Sequence, residues 1–195
     1  MDELAILIRI RNFARAVRFV LKNGTDSVLY DGKTGLQAYN EVFREMAFKM
    51  LATAMRSKTP MSLIMADMDG LKEVNDTKGH QKGDELLWLS ADVIKGCLRG
   101  SDIAGRYGGD EFIIVLPGTD KAGACVVIEK LKALLEANSL KWSFGVAEAY
   151  FPEESELSGC PRKNLEKGWL LFLENLIAEA DEDMYRDKAK RKKKP

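Results

Sequence analysis

The sequence predicts an α+β fold, with helices flanking a mixed central sheet built around one antiparallel β-hairpin. Apolar residues recur at helical spacing in several separated stretches. Between them lie short apolar runs of strand length, Met61–Met68 and Glu111–Leu116 among them. The pair Gly108-Gly109 joins two such runs, Asp102–Tyr107 and Glu111–Leu116, which is a hairpin signal.

In chain order, Ile6, Ile10, Phe13, Val17 and Val20 alternate steps of four and three, with Arg9, Arg11, Arg15, Arg18 and Lys22 largely off that seam. This describes an amphipathic helix, either packed on its own domain or forming a coiled-coil stub that pairs two chains. Asn23-Gly24 supplies a stop, and Thr25–Thr34 reads as a linker. A second helix is expected over Leu36–Arg56, closed by Pro60. Met61–Met68 reads as a buried strand that delivers Asp67 and Asp69 at its C-terminal end. Lys72–Lys82 should be loop and short helix, and Asp84–Leu98 an amphipathic helix with Asp84 placed to cap it. Lys121–Ala137 is expected as helix, Lys141–Tyr150 as strand, Phe151–Gly168 as exposed loop and Trp169–Lys188 as a final helix. A palm-like, ferredoxin-related topology fits this order.

The chain has 195 residues, 46% of them hydrophobic, enough for one domain with a real core and an appended helix or tail. The boundaries expected are 1–24 for the N-terminal helix, 25–192 for the domain and 193–195 for a basic tail. Thirty basic residues balance thirty acidic ones, so no overall field marks nucleic acid or an anionic membrane as the main partner. Cys97, Cys125 and Cys160 lie far apart with no metal-ligand spacing, which fits a reducing compartment. Arg9 breaks the apolar run after Leu4, against a signal peptide or membrane span, and the expectation is a cytoplasmic protein.

The chemistry concentrates in a few acids. Alternate strand residues point the same way, so Asp67 and Asp69 share a face, and the hairpin tip can bring Asp110 and Glu111 to it. Carboxylates with a main-chain carbonyl are the hard oxygen donors magnesium prefers, and magnesium commonly carries a triphosphate. Gly108 and Gly109 offer permissive dihedrals and a bare surface for a nucleotide to approach.

Three separated blocks, Asp67-x-Asp69-x-x-Lys72-x-x-Asn75-Asp76-x-x-Gly79-His80-x-x-Gly83-Asp84, Arg106-Tyr107-Gly108-Gly109-Asp110-Glu111-Phe112, and Ala180-Asp181 with Tyr185-x-x-Lys188, resemble the GGDEF domain of diguanylate cyclases, from about Asp31 to Lys192. The resemblance implies condensation of two GTP molecules into cyclic di-GMP by a homodimer holding one nucleotide per copy. It implies Mg2+ or Mn2+ held by Asp67, Asp110 and the Met68 carbonyl, with Asp110 and Glu111 handling the 3′-hydroxyl proton and Lys72 the phosphate charge. Asn75 and Asp84 would read guanine, with His80 shaping the pocket, although a lone histidine more often makes a structural hydrogen bond. Guanine's adjacent N1–H and 2-amino donors do suit an acceptor-only carboxylate. Lys188 matches a phosphate-contacting lysine, whereas Lys192 stands where the family shows arginine, and lysine lacks the bidentate fork. Arg99-Gly100-Ser101-Asp102 matches a product-inhibition site, which a local Arg99–Asp102 ion pair would also explain. Lys33 replaces a leucine before Thr34-Gly35-Leu36, and Ala38-Tyr39 replaces an Asn-Arg pair. The alternative expectation is a catalytically silent module that binds GTP or cyclic di-GMP as a sensor.

Overall fold

The computed structural model describes residues 29–149 and 165–192, with the side chains of 165–170 and of Lys192 outside the described set. The amphipathic helix expected before residue 25, the loop expected from Phe151 and the tail 193–195 fall on residues that lie outside it, apart from the end of that loop. Within it the chain runs β1 (Gln37–Ala38), α1 (Glu41–Ser57), β2 (Met61–Met68), α2 (Leu71–Lys78), α3 (His80–Cys97), β3 (Ile103–Arg106), β4 (Glu111–Pro117), α4 (Lys121–Ala137), β5 (Trp142–Glu148) and α5 (Leu165–Lys192).

The sheet order is β1-β3-β4-β2-β5, with β1 parallel to β3 and all other pairs antiparallel. All eight residues of β2 are buried, which is why that strand reads as a continuous apolar run rather than an alternating one. Its even-numbered residues Ile64, Ala66 and Met68 join Phe112, Ile114 and Trp142 under α3 and α4. Its odd-numbered residues Met61, Leu63 and Met65 join Ile113 and Val115 under α1 and α5. Helices thus cover both faces, as the expected fold class requires.

One contact sets the position of α5. A Cβ placed on Gly145 would lie 2.1 Å from both the Ala180 carbonyl oxygen and the Met184 nitrogen, so the helix backbone rests directly on β5. Asp183 and Asp187, one turn apart, then accept from the Val146 and Phe144 amides at 3.1 Å each. Two outward N–H groups of the edge strand are thereby occupied, which works against pairing with another chain there.

Several boundaries differ from expectation for identifiable reasons. Gln37–Ala38 is a short strand, not helix, because it pairs with Gly105 and Arg106. Helix α1 starts only at Glu41, where the Asn40 side chain accepts from the Val42 and Phe43 amides. The stretch taken as linker ends in structure, since Tyr30 bridges Gln37 and Asp31 anchors the turn before it. Gly79, at φ 84 and ψ 158, ends α2 and lets α3 begin at once with His80. Asp84 therefore lies inside α3 and does not cap it. Helix α5 starts four residues before Trp169 and runs to Lys192, so 165–168 are helical rather than loop.

Candidate active site

Strand β2 and the β3–β4 hairpin bring the acids together. Asp67 sits opposite both Glu111 and Ser143 in the sheet register, so all three side chains share the α5 face. The Ser143 hydroxyl donates to both oxygens of Asp69 at 3.1 Å, keeping Asp69 on that side beyond the strand end. The Met68 amide donates to the Asp110 carbonyl at 3.0 Å, fastening the hairpin tip to the end of β2. From α5, Lys188 Nζ donates to Asp67 Oδ1 at 2.5 Å and stands 4.0 Å from Asp69. Met68, Asp69, Lys72, Asp110, Lys188 and Arg191 all line one cleft of 680 Å³.

The electrostatics of this cluster are unbalanced. Burial pushes the Asp67 carboxyl up; the Lys188 hydrogen bond and charge pull it back, Asp110 and Asp69 add smaller upward pushes, and the net direction stays up. Glu111 is pushed up by burial and then by Asp67, Asp181 and Asp110. Lys188, though burial opposes its charge, is held above the usual lysine range by Asp67, Asp69 and Asp110. One ammonium serves more carboxylates than it can neutralise. The residues therefore fit a divalent cation: its addition beside Asp67 and Asp110 would remove the repulsion, and the donors are hard oxygens. Among the described residues no three acidic, His or Cys side chains converge on one metal position, so side chains alone would give an ion fewer than three ligand residues.

The hairpin tip is fixed by Arg106, a residue of the motif block to which the sequence assigned no role. Arg106 donates through Nε to the Gly108 carbonyl at 3.1 Å and through Nη2 to the Gly109 carbonyl at 2.6 Å. Its Nη1 reaches both oxygens of Asp31 at 3.1 and 3.2 Å. Asp31 also accepts from the Thr34 amide at 2.9 Å and hydroxyl at 2.8 Å. Gly108 and Gly109 are not among the glycines with positive φ, which are Gly35, Gly70, Gly79 and Gly118. The expected need for positive φ at the tip is therefore not met at either glycine. A Cβ on Gly108 would meet Glu111 Oε2 at 2.8 Å, and Gly109 faces open space.

Burial works against the Asp31 charge, but the Thr34 hydroxyl, Arg106 and the Thr34 amide outweigh it and hold the carboxyl below its usual range. A depressed carboxylate stabilises the fold above its unfolded value, about 4, and loses that contribution as pH falls through the folded value. The stability gap between the wild type and Asp31→Asn is therefore expected to be full at neutral pH and to close below about pH 4. Urea midpoints across a pH series measure it, and a gap independent of pH would contradict this account.

Other expected residues stand apart. Asn75 packs against the residue before Asp84: a Cβ on Gly83 would lie 2.0 Å from Asn75 Oδ1. Asp84 lines a different groove, with Trp88, and binds Lys33 Nζ at 2.6 Å. His80 is exposed and makes no side-chain hydrogen bond among the described residues, contrary to the structural bond expected of it. Glu111 opens onto a second hollow with Tyr39, Arg44 and Asp181. Asp102 accepts from the Arg99 backbone amide at 2.9 Å, and the Arg99–Asp102 side-chain ion pair that stood as the alternative to a product site is absent among the described residues. The guanidinium expected at 192 stands at Arg191, one turn beyond Asp187, to which its Nε lies at 3.4 Å. The signal was present in the sequence, since Lys188 and Arg191 are three apart on a helix and share a face.

Comparison with known proteins decides the family. Residues 28–194 match the family described as diguanylate cyclase, GGDEF domain. The chain belongs to the GGDEF family. Among curated relatives, diguanylate cyclase DosC of Escherichia coli is 36% identical over 152 residues, covering 75% of this chain and 30% of the relative. Diguanylate cyclase A of Treponema denticola is 38% identical over 110 residues, covering 52% of this chain and 30% of that protein. The chain thus spans about a third of the length of these relatives. A solved GGDEF domain described with bis-(3′,5′)-cyclic di-GMP superposes with a TM-score of 0.66 at 27% identity, covering 85% of this chain and 93% of that one. The active GGEEF domain of a Vibrio cholerae diguanylate cyclase gives 0.55 at 29% identity, covering 60% and 79%. The GGDEF motif itself is the turn that Arg106 holds.

Proposed function

We propose that this GGDEF domain is a diguanylate cyclase that condenses two GTP molecules into cyclic di-GMP, releasing two pyrophosphates. The observation that carries this reading is one cleft lined by Met68, Asp69, Lys72, Asp110, Lys188 and Arg191, with the buried Asp67 bound to Lys188 at its edge. The cyclase domain spans 25–192.

Asp67, Asp110 and the Met68 carbonyl would hold Mg2+ or Mn2+. The ion supplies charge neutralisation on the triphosphate when bound. Lys72, Lys188 and Arg191 bind the phosphates, and Arg191 restores the fork that Lys192 lacks. The 3′-oxygen of one GTP forms a bond to the α-phosphorus of the other, and the bond from that phosphorus to the bridging oxygen breaks, releasing pyrophosphate. The 3′-hydroxyl proton passes to Asp110 or Glu111. Each copy holds one nucleotide, so two copies face each other as a homodimer. Asn75 and Asp84 read the base, with His80 at the rim beside Gly79, and Gly108 and Gly109 leave room for the nucleotide at the hairpin. Arg99 and Asp102 receive the product as inhibitor, the Arg99 guanidinium having no partner among the described residues. Among the described residues no helix is long and apolar enough to cross a membrane.

The base-reading role predicts the behaviour of Gly83→Ala. The added methyl displaces the far end of the Asn75 side chain, which can move, so the fold is retained while the base contact is lost. GTP KM is expected to rise about tenfold with the melting temperature nearly unchanged. An unaltered KM would remove Asn75 from the base site.

The reading as a whole is tested by incubating the purified chain with Mg2+ or Mn2+ and GTP, and in parallel ATP, and identifying products by mass. Cyclic di-GMP from GTP and no corresponding product from ATP is the expected result. Nucleotide binding without any cyclic dinucleotide would favour the silent sensor instead.

A further inference from the structure

Lys33 stands where the family shows leucine, and its ammonium donates to Asp84 Oδ1 at 2.6 Å across 51 residues of sequence. Both ends of this pair are held by backbone structure. Asp84 lies inside α3, and Lys33 lies in a turn closed by Gly35 N–H donating to the Asp31 carbonyl at 2.7 Å. That turn is anchored in turn through Asp31 to Arg106. Asp84 Oδ2 has no partner among the described residues. The side chains are 53% and 44% exposed, so the pair adds little to stability and remains open to a ligand.

We propose that Lys33 is a specificity-determining residue for the nucleotide base. The inference rests on the proposed guanine-reading role of Asp84. Together Lys33 and Asp84 present one donor followed by two acceptor oxygens. Guanine presents the complement along one edge: the O6 acceptor, then the N1–H and 2-amino donors. Lys33 donates to O6 while the carboxylate accepts from N1–H and the 2-amino group. Adenine would place its 6-amino donor against the ammonium and its N1 acceptor against the carboxylate. The lysine therefore adds repulsion against adenine as well as attraction for guanine. A leucine at this position can offer the base only apolar contact.

The test uses the full chain and 3′-deoxy-GTP, which lacks the nucleophilic hydroxyl, alongside its 6-thio counterpart, whose sulfur is a poor acceptor in place of O6. Affinities are measured at pH 7 by calorimetry for the wild type, Lys33→Met and Asp84→Asn. The wild type is expected to bind 3′-deoxy-GTP about tenfold more tightly than the 6-thio analogue. Lys33→Met should lose about tenfold for 3′-deoxy-GTP and no longer distinguish the two ligands. If Asp84→Asn weakens binding but Lys33→Met binds 3′-deoxy-GTP as well as or better than the wild type, Lys33 only competes for the carboxylate and this inference fails alone. If Asp84→Asn binds 3′-deoxy-GTP unchanged, the guanine-reading role of Asp84 fails, and the inference with it.

Discussion

Asp110→Ala is expected to lower cyclic di-GMP formation from GTP by roughly 10³-fold or more. Asp110 is the hairpin-tip acid that lines the cleft, fastened to β2 through the Met68 amide. The backbone bond survives the substitution, because it uses the Asp110 carbonyl rather than the side chain. What disappears is one hard oxygen donor for the cation and one acceptor for the 3′-hydroxyl proton. The same carboxylate pushes up both Asp67 and Glu111, so its removal relieves repulsion in the folded state. The melting temperature without metal should therefore stay level or rise, the usual exchange of stability for activity at a charged site. Loss of product together with a retained or raised melting temperature separates a chemical role from misfolding. Product formation within tenfold of the wild type would remove Asp110 from the mechanism.

The second large effect is structural. Gly145→Ala places a methyl 2.1 Å from two backbone atoms of α5, the Ala180 oxygen and the Met184 nitrogen. Backbone atoms of a packed helix cannot step aside as a side-chain tip can, so α5 must lift from β5. Three losses follow together. The apolar contacts of Ala180 and Met184 with the sheet loosen, Asp183 and Asp187 withdraw from the Val146 and Phe144 amides, and Lys188 leaves Asp67 with its charge uncompensated. The expected cost is about 3 kcal/mol, which for a chain of this length lowers Tm by roughly 6–12 °C. Thermal unfolding followed by circular dichroism measures it. A Tm within about 2 °C of the wild type would show that α5 does not rest on Gly145 as described. The contrast with Gly83→Ala is instructive. There the obstructing atom is the end of a side chain, so the effect is expected in nucleotide binding and not in stability.

Much of the fold was legible because the sheet centre is buried on both faces. Strands β2 and β4 are apolar runs of strand length, and burial between two helical layers leaves them no other reading. The acids at their ends were legible for two reasons: Asp67 interrupts an apolar strand where a polar residue needs a partner, and Asp110 follows the Gly108-Gly109 turn that carries it to the same end of the sheet. Strand β1 was not legible, since two residues carry no pattern and their conformation is decided by β3. The start of α3 was missed because Gly79 acts through a backbone angle that apolar spacing does not report. The Arg106–Asp31 tie and the Lys33–Asp84 pair join residues 75 and 51 positions apart, and only the folded chain puts them in contact. The clearest local lesson is Arg191. Matching position 192 alone left a missing guanidinium, whereas helical spacing from Lys188 places Arg191 on the cleft side.

The central claim is that the cleft assembled by Asp67, Asp110 and Lys188 makes cyclic di-GMP when two copies meet. It is tested most directly by following cyclic di-GMP by mass while the concentration of the wild-type chain is raised at saturating GTP and Mg2+. With one nucleotide per cleft, as proposed, and a product that needs two, the rate per molecule should climb with protein concentration and level off once pairs are saturated. Absence of cyclic di-GMP at every concentration, or a rate per molecule that does not change on dilution to monomer, would contradict it.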